Sequence, residues 1–351
     1  MMRTPARRLV PGLRTGVAER ARALGQLSIN DRLERRSVDA APRPIDAATA
    51  SLAKPWPRVS PPPPPAAPDD APPSRLAADF DAVGALGRGG FGRVIAARHR
   101  LDGATYALKL QHAAETRDEA RAMAAIGAHG NVVSYVTAWF ETGAAARRFA
   151  AAARADADDD SESESDDEPE DETVGVLQLG LCAGGDLRSW LDGSTRDASP
   201  AGLVAAAKTV GGDVAAALAH VHARGWAHLD VAPRNVFFDG RGTWRLGDFG
   251  LAARHDRAPA AASLAGAPER RLPPGVAPRD ARPSDVWGLG VVLFELLRVF
   301  PTTMERALAL EHLRGGRPCE GPLARLVDAL VARDPDARPA AAACAAALRG
   351  A

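Results

Sequence analysis

A glycine-rich turn between two predicted strands places the strongest constraint on how this chain folds. Residues 86–94 read Leu-Gly-Arg-Gly-Gly-Phe-Gly-Arg-Val and fit the pattern G-x-G-x-x-G-x-V. Gly87, Gly89 and Gly92 allow a tight turn whose backbone N–H groups can approach phosphate oxygens, because a Cβ atom would hold the chain away. A dinucleotide-binding turn would need a helix directly after the glycines, whereas residues 93–100 continue as a strand. A purely structural turn remains the other alternative.

A lysine follows on the next predicted strand. Lys109 ends the segment Tyr106-Ala107-Leu108-Lys109, fifteen residues after Val94, and the chain has only three lysines among its 44 basic residues. A lysine in a strand is normally a solvated surface residue. Beneath a phosphate-binding turn, however, it can pair with the α and β phosphates of a nucleotide, and the rarity of lysine in this chain favours that role.

A carboxylate on a helix is the expected partner of this lysine. The predicted helix that follows the lysine strand offers Glu115 and Glu119. Glu119 is preferred because Met123 and Ile126 lie four and seven residues further on, so that the three side chains share one helical face. We therefore predict an ion pair between Lys109 and Glu119.

The most specific motif is His228-Leu229-Asp230-Val231-Ala232-Pro233-Arg234-Asn235, and Asp248-Phe249-Gly250 begins thirteen residues after its last member. Phosphoryl transfer needs a carboxylate that accepts the proton of the attacking hydroxyl, and oxygen ligands that hold Mg²⁺ against the phosphates. Asp230 suits the first role, and Asn235 and Asp248 suit the second. Each residue alone could cap a turn, but the ordered set has no such simple explanation.

The order of the predicted elements indicates two lobes. Periodicity predicts strands at residues 80–100 (two strands), 104–110, 132–141 and 174–181. Helices are predicted at residues 115–127, 203–223, 284–298, 322–332 and 339–348. Five strands with one helix, followed by helices, predict an α+β fold with an N-lobe at about 80–181 and a mostly helical C-lobe at about 182–350.

Two segments are predicted to lie outside the folded domain at 80–350. Residues 1–79 combine an Arg-rich, Ala-rich opening with five consecutive prolines at 61–65, and they are predicted to be a disordered tail and linker. The Arg-rich opening is also compatible with an organellar transit peptide. Residues 142–173 are Ala-rich and acidic and show no clear apolar periodicity, so they are predicted to be a disordered insertion.

Composition argues against several other classes of protein. The chain is 46% hydrophobic and 25% charged, which is ordinary for a globular protein. Its longest apolar run, residues 286–294, is far shorter than the roughly 20 residues of a membrane helix. Three widely spaced cysteines predict reduced thiols without a disulfide framework or a metal knuckle. The formal net charge is zero, and 12 acidic residues lie within 156–172, so no attraction to nucleic acid is expected.

Residues from about 80 to 350 resemble a eukaryotic protein kinase domain. Beyond the motifs above, Ala267-Pro268-Glu269 and the helix start at 285–290 are similar to later motifs of that family. Arg338-Pro339 resembles the late arginine that is expected to pair with Glu269. The resemblance implies a bilobal fold, ATP and Mg²⁺ as ligands, and transfer of the γ-phosphate to a protein hydroxyl.

The resemblance also implies where the ligands bind. Val94, Ala107 and Phe237 match positions that sandwich adenine, Leu179 falls at the gatekeeper, and Gly180-Leu181-Cys182 falls at the hinge. The residues expected to contact the nucleotide are Leu86, Gly87, Gly89, Gly92, Val94, Ala107, Lys109, Leu181 and Phe237. The residues expected to act in catalysis are Asp230, Lys109, Glu119 and Arg234, and the expected metal ligands are Asn235 and Asp248.

Two groups of kinases share further features with the chain. Kinases of the alpha subunit of translation initiation factor 2 carry a long acidic insertion between the fourth and fifth strands, the position of residues 142–173. They also have a sequence segment similar to residues 300–306, Phe-Pro-Thr-Thr-Met-Glu-Arg. The Wee and Myt mitotic inhibitors have a catalytic loop without the usual arginine, like His228-Leu229-Asp230. The insertion and the Met-Glu-Arg segment favour the kinases of the initiation factor 2 alpha subunit.

Two departures from the family pattern concern specificity and regulation. Most Ser/Thr kinases have a lysine two residues after the catalytic aspartate, where this chain has Ala232. Arg234 is expected to supply the missing cation, as in tyrosine kinases, and this leaves Ser/Thr or tyrosine specificity open. Because Leu229 replaces the usual arginine before Asp230, activity is expected not to depend on phosphorylation of Ser263 in the activation loop.

The sequence therefore predicts a protein kinase, by preference Ser/Thr-specific and resembling the initiation factor 2 alpha-subunit kinases. A Wee-like kinase with tyrosine or dual specificity is the main alternative. A catalytically weak pseudokinase and a small-molecule kinase of related fold are the others. The expected partner is a protein substrate such as the initiation factor 2 alpha subunit, with a homodimer considered as well. Direct nucleic-acid binding and a membrane span are not expected, and the cytoplasm is the expected location, with nucleus and organelle as alternatives.

Overall fold

The computed structural model describes residues 74–89, 92–154, 173–194, 199–254 and 280–350. Several features predicted from the sequence lie outside the described residues. They are nearly all of the predicted tail, the acidic part of the insertion at 155–172, Ser263, and the Ala-Pro-Glu segment at 267–269.

Five antiparallel strands form one sheet in the order β1-β2-β3-β5-β4. The strands are β1 Phe80–Gly89, β2 Gly92–His99, β3 Thr105–His112, β4 Tyr135–Thr142 and β5 Thr173–Gly180. Strands β1 and β2 form a hairpin in which Gly89 pairs with Gly92. The predicted glycine turn therefore joins two neighbouring strands, and no helix follows it, which is the arrangement expected of a nucleotide-covering loop.

The two faces of the sheet contact different apolar clusters. On β3, Leu108 and Leu110 belong to a cluster on the outer face, whereas Ala107 belongs to the main core that continues into the C-lobe. On β5, Leu177 and Leu179 likewise face the main core. This alternation with a period of two places Ala107 and Lys109 on the same face of β3, towards the cleft between the lobes.

The beginning of the insertion is a helix, which corrects the prediction of a disordered segment from residue 142. Helix α3, Gly143–Arg154, packs on the outer face of the sheet. Four of its side chains recur at helical spacing and are buried in the outer cluster: Ala146, Phe149, Ala150 and Ala153. The sequence analysis missed this stripe because three of its four members are alanines within an alanine-rich segment.

Helix α1, Arg75–Asp79, precedes β1, so the described fold begins five residues earlier than the predicted boundary. Leu76 is fully buried in the outer cluster, and its backbone N–H donates to Oε1 of Glu141 at 3.0 Å. The indole N–H of Trp139 donates to the same oxygen at 2.9 Å. With α2, Ala113–Ile126, the described N-lobe has three helices and not the single one expected.

Helices dominate the described part of the C-lobe. They are α4 Leu187–Ser194, α5 Pro200–Ala223, α6 Arg282–Leu296, α7 Thr303–Arg314, α8 Ala324–Leu330 and α9 Ala341–Gly350. Helix α5 contacts α6 and α9 in the main core. It has the length and apolarity of a membrane-spanning helix, but half of its most apolar stretch is buried in the protein, which is the pattern of a core helix. Helices α4 and α7 were not predicted from the sequence.

Two short strand pairs surround the catalytic motif. Strand β6, Trp226–Ala227, pairs with β9, Ala253–Arg254, and β7, Val236–Phe238, pairs with β8, Trp244–Leu246. The β7–β8 hairpin begins directly after Asn235 and ends two residues before Asp248. The hairpin therefore reverses the direction of the chain and brings the motif that ends at Asn235 next to the motif that begins at Asp248.

Arg338 lies at the N-terminal end of α6. Its Nε donates to the carbonyl oxygen of Ala332 at 2.9 Å and its Nη1 to that of Pro283 at 2.8 Å. Nη2 is buried and has no hydrogen-bond partner among the described residues. Burial lowers the pKa of Arg338 to about 10. The predicted partner, Glu269, lies outside the described residues, so this pairing stays a prediction.

Candidate active site

Lys109 lies between two carboxylates. Its ammonium nitrogen is 2.8 Å from Oε2 of Glu119 on α2 and 2.8 Å from Oδ1 of Asp248. Lys109 is 6% exposed and Glu119 is 1% exposed. Glu119, and not Glu115, is therefore the carboxylate that pairs with the lysine, as the helical stripe predicts. The contact also joins α2 of the N-lobe to the segment that follows β8.

The ion pairs shift the pKa of both Lys109 and Asp248 towards the charged form. Burial would lower the pKa of Lys109, but the neighbouring negative charges of Glu119 and Asp248 outweigh burial and raise it above its usual value. Burial would raise the pKa of Asp248, but the Lys109 ammonium outweighs that effect and lowers it. At neutral pH the lysine and the aspartate are thus both ionised, as phosphate and metal binding require.

Gly92 is held too closely against β3 for any other residue to replace it without strain. Its φ angle is +116°, and a Cβ atom at this position would lie 2.0 Å from the carbonyl oxygen of Leu110. The same Cβ atom would lie 2.9 Å from Cβ of Gln111. A glycine is therefore required for the turn to close over the strand that carries Lys109.

Asp230 is held from two directions within its own loop. The amide nitrogen of Asn235 donates to Oδ2 of Asp230 at 2.8 Å and to its backbone carbonyl oxygen at 2.8 Å. Nη2 of Arg234 donates to Oδ1 at 2.9 Å. Arg234 lies beside the carboxylate proposed to accept a proton, while Ala232 is buried and carries no charge. The guanidinium of Arg234 thus lies beside this carboxylate, and its role as the missing cation in catalysis stays a prediction.

Asp285 fixes the backbone of the catalytic loop. The N–H groups of His228 and Leu229 donate to its carboxylate at 2.8 and 2.7 Å, and Nε2 of His222 lies 2.8 Å from it. Asp285 is fully buried. Leu229 has a φ angle of +65°, which a branched residue adopts only when its surroundings impose it. The carboxylate of Asp285 thus holds the strained residue that precedes Asp230.

His228 links the catalytic loop to the Asp-Phe-Gly segment. Its Nε2 lies 3.0 Å from the carbonyl oxygen of Gly247, and its ring meets the ring of Phe249 edge-on at 4.7 Å. Phe249 is 1% exposed, and with Met123 of α2 it lines a cavity of about 160 Å³. The neighbouring Asp248 has a φ angle of +61°. His228 therefore contacts the residue on each side of Asp248, namely Gly247 and Phe249.

The predicted adenine-binding residues converge from both lobes. Ala107 pairs with Leu179 across β3 and β5, and both are buried in the main core. Val94, Leu181 and Phe237 pack against the same cluster. Leu86, in contrast, is exposed on β1. An apolar surface formed by side chains from both lobes suits the flat ring of a nucleobase.

The residues present also fit a magnesium ion. The amide nitrogen of Asn235 is committed to Asp230, so the side-chain group left to a metal is its carbonyl oxygen. Asp248 is partly exposed and ionised. No group of three or more His, Cys, Asp or Glu suited to a metal occurs within the described part of the chain. Two hard oxygen donors completed by phosphate oxygens and water are what Mg²⁺ prefers.

Sequence reasoning missed one buried polar residue of the site. Nε2 of Gln111 donates to Oε2 of Glu119 at 2.9 Å, and Gln111 is 6% exposed. Gln111 belongs to no motif, but it follows Lys109 by two residues on β3. The period of two of the strand places both side chains on one face, and this was the signal that could have identified it.

A family comparison agrees with this geometry. The family model described as "Protein kinase domain" matches residues 80–347, which include the glycine turn, Lys109, Asp230 and Asp248. The chain belongs to the protein kinase family. The match covers the whole described fold of the kinase domain except α1 and the last residues of α9.

Individual relatives come from more than one branch of the family. The kinase is 27% identical over 248 residues to the interferon-induced, double-stranded RNA-activated protein kinase of Rattus norvegicus, covering 69% of this chain and 45% of the relative. It is 29% identical over 283 residues to the Wee1-like protein kinase of Arabidopsis thaliana, covering 76% and 49%. It is 30% identical over 282 residues to the eIF-2-alpha kinase GCN2 of Arabidopsis thaliana, covering 69% and 22%. The chain thus spans about half or less of the length of these relatives.

We expect replacement of Arg234 by methionine to lower kcat for phosphoryl transfer by about 100-fold, because it removes a charged donor beside the reacting groups. Arg234→Lys should retain part of the rate, since it keeps a cation. Steady-state kinetics at saturating ATP with both variants test this. If Arg234→Met turned over at the rate of the unmodified kinase, the arginine would have no part in the reaction.

Proposed function

We propose that this chain is an ATP-dependent protein kinase that phosphorylates serine or threonine on the alpha subunit of translation initiation factor 2. The transfer reaction is supported by one observation above all: Lys109, Glu119 and Asp248 form a buried ion-pair network beside the loop that holds Asp230 and Asn235. A cytoplasmic location follows from the proposed substrate, because initiation of translation takes place there.

Each charged residue has one task in the proposed reaction. Lys109, oriented by Glu119, would bind the phosphates of ATP. Asp230 would accept the proton of the attacking hydroxyl, and Arg234 would offset negative charge at the transferred group. Mg²⁺ held by Asp248 and Asn235 would neutralise charge on the phosphate oxygens.

The substrate part of the proposal is supported by a helix with an exposed apolar face. Helix α7 begins within residues 300–306, the segment that resembles the initiation-factor kinases. Met304 and Leu308 lie one turn apart on α7 and are 68% and 49% exposed. Two large apolar side chains at this spacing offer a surface to a folded protein substrate.

Ion pairs with a buried glutamate fix helix α7 to the core. Arg306 donates to both carboxylate oxygens of Glu295 on α6, with Nε at 2.6 Å and Nη2 at 3.0 Å. Arg188 of α4 contacts the same carboxylate. Glu295 is 1% exposed. Three helices therefore meet at one buried carboxylate, which sets the direction in which α7 presents its outer face.

A Wee-like kinase with tyrosine specificity is the second candidate. The contact between Arg234 and Asp230, together with the uncharged Ala232, favours it, because this is where tyrosine kinases place their compensating arginine. The similarity to a Wee1-like protein kinase is comparable in identity to that of the eIF-2-alpha kinase.

Identification of the labelled amino acid tests the two candidates against each other. The full chain is incubated with radiolabelled ATP and Mg²⁺, and it is offered either the initiation factor 2 alpha subunit or a mixed protein lysate. Phosphoserine or phosphothreonine on the alpha subunit is the expected result. Phosphotyrosine in the lysate with an unlabelled alpha subunit would overturn the proposal in favour of the Wee-like candidate. The inactive Asp230→Asn variant is the control for contaminating kinases.

Replacing Met304 and Leu308 together by aspartate is expected to lower kcat/KM for the alpha subunit by about 10-fold or more, because it removes the apolar docking surface. For a short peptide substrate, kcat/KM should stay within about twofold, since a peptide does not reach α7. Leu101→Asp is the matched control, because Leu101 is 91% exposed in the turn after β2. Equal losses for both substrates would argue against docking on α7.

A further inference from the structure

Gln111 lies on the face of β3 that also carries Lys109. The side chains of Leu108 and Leu110 point to the outer cluster, whereas those of residues 107, 109 and 111 alternate to the cleft side. Gln111 is nevertheless buried, at 6% exposure. A buried amide nitrogen at the active site needs an acceptor, because an unpaired buried polar group destabilises a fold. The amide oxygen of Gln111 has no hydrogen-bond partner among the described residues, so the hydrogen bond of this side chain is made by its Nε2.

The amide of Gln111 is directed at the carboxylate that pairs with Lys109. Nε2 of Gln111 lies 2.9 Å from Oε2 of Glu119, and Nζ of Lys109 lies 2.8 Å from the same oxygen. The other carboxylate oxygen, Oε1, is buried and has no hydrogen-bond partner within the described residues. Two donors from one strand, two residues apart, therefore hold the carboxylate by a single oxygen.

The two donors are not equivalent. Lys109 divides its ammonium between Glu119 and Asp248, which lies at the same distance of 2.8 Å. Gln111 donates to Glu119, so its hydrogen bond persists when the lysine turns towards another anion. A hydrogen bond to an ionised acceptor is roughly twice as strong as one between neutral groups. The amide is thus suited to keep Glu119 in place while Lys109 contacts phosphate.

Gln111 also lies next to the end of the glycine turn. Gly92 lies so close to β3 that a Cβ atom added to it would be 2.9 Å from Cβ of Gln111. Gln111 therefore lies between the turn that covers the phosphates and α2, the helix that carries Glu119. A shift of α2 away from β3 would break the amide contact as well as the ion pair between Lys109 and Glu119.

We infer that Gln111 is a positioning residue that acts through Glu119. It holds α2 against β3 in the nucleotide-free protein, and it leaves the ammonium of Lys109 available to the phosphates. The inference rests on the proposed kinase activity but not on the proposed substrate. It assigns no contact between Gln111 and the reacting atoms.

The first test replaces Gln111 by methionine, which has nearly the same length and cannot donate a hydrogen bond. We expect kcat to fall about 10-fold with a smaller change in KM for ATP. We also expect the amides of α2, Ala113–Ile126, to exchange hydrogen faster in the protein without nucleotide. Gln178→Met is the matched control, because Gln178 is also 6% exposed but lies on the outer face of β5. It should leave both measurements nearly unchanged.

A double-mutant cycle with Glu119→Gln separates positioning from packing. If Gln111 acts through the charge of Glu119, Gln111→Met should change α2 exchange and kcat much less in the Glu119→Gln background than in the unmodified kinase. Equal changes in the two backgrounds would show that Gln111 only fills space, and the inference would be overturned. The exchange measurement needs no substrate, so it decides the inference even if the chain transferred no phosphate to the alpha subunit.

Gln111→Glu gives a second readout that packing alone would not produce. It places two carboxyl groups against each other beside the Lys109 ammonium, which Asp248 also contacts at 2.8 Å. One ammonium shared among three carboxyl groups does not offset the added charge, so repulsion is expected to raise the pKa of one member of the new pair. The shared proton that bridges them is present below this raised pKa and is lost as pH rises through it. Activity relative to the unmodified kinase should therefore fall with rising pH, whereas a constant ratio from pH 5.5 to about 8.5 would contradict the inference.

Discussion

The variant Asp230→Asn is expected to lower kcat for phosphoryl transfer by about 100- to 10,000-fold, because an amide cannot accept the proton of the attacking hydroxyl. The change is nearly isosteric. The amide nitrogen of Asn235 donates to Oδ2 of Asp230 at 2.8 Å, and Nη2 of Arg234 donates to Oδ1 at 2.9 Å. A single amide oxygen can accept only one of these contacts well, so some rotation of the side chain is expected.

Nucleotide binding should survive this change. Lys109, Glu119 and Asp248 form their ion pairs without Asp230, and the adenine surface is formed by other residues. The dissociation constant for ATP should therefore change by less than about threefold, a difference below about 1 kcal/mol. Calorimetric titration with ATP and a turnover assay, run on the same preparation, separate binding from chemistry.

Asp118→Asn is the matched control for this experiment. Asp118 lies on α2 and its side chain is 78% exposed, so the same chemical change there should leave turnover and binding nearly unaltered. If the Asp230→Asn variant kept most of the transfer rate, the assignment of Asp230 as the proton acceptor would be contradicted. Loss of ATP binding together with turnover would instead point to a disturbed fold.

The members of the site and the ion pair between Lys109 and Glu119 could be predicted from the sequence, because each member stands at a recognisable place in an ordered set. The contact between Lys109 and Asp248 was not predicted. Glu119 was identified from helical spacing alone, since Met123 and Ile126 continue its face of α2. Asn235 and Asp248 were identified from spacing, and the β7–β8 hairpin explains why that spacing brings them together. In each case a local rule of geometry determined the outcome.

The features that escaped prediction have no local signature of this kind. The buried stripe on α3 is formed mainly by alanines. Its composition is therefore the same as that of a disordered alanine-rich segment. Helix α7 buries only Leu310 and Leu313, so its apolar pattern is too sparse to indicate a helix. Gln111 acquires its role only when α2 packs against β3 and brings Glu119 to it. These outcomes depend on tertiary packing, which periodicity does not encode.

Replacing Asp285 by alanine is expected to have the largest effect on stability. The carboxylate accepts the backbone N–H groups of His228 and Leu229, and Nε2 of His222 lies 2.8 Å from it. Alanine would leave two backbone donors buried without partners, each at a cost of about 1–3 kcal/mol. We therefore expect the free energy of unfolding to fall by about 2–6 kcal/mol. Chemical denaturation followed by circular dichroism measures this.

Activity should fall more than stability alone explains. Leu229 keeps its φ angle of +65° because its own N–H group and that of the preceding residue, His228, are held by Asp285. Without these bonds the backbone can relax, and Asp230, the next residue, moves with it. Below the unfolding temperature, where Asp285→Ala is still folded, kcat should already be reduced by about 10-fold or more.

Asp213→Ala provides a graded control, because Asp213 is partly buried and, among the described residues, accepts one backbone N–H, that of Trp244, at 2.9 Å, together with a side-chain hydrogen bond from Asn131. Its loss should lower the free energy of unfolding by about 1 kcal/mol and leave kcat nearly unchanged. If Asp285→Ala and Asp213→Ala lost the same stability and kept the same kcat, Asp285 would be an ordinary buried acid. A large loss of kcat confined to Asp285→Ala would show that this carboxylate holds the catalytic loop in its working conformation, because only its donors adjoin the proton-accepting aspartate.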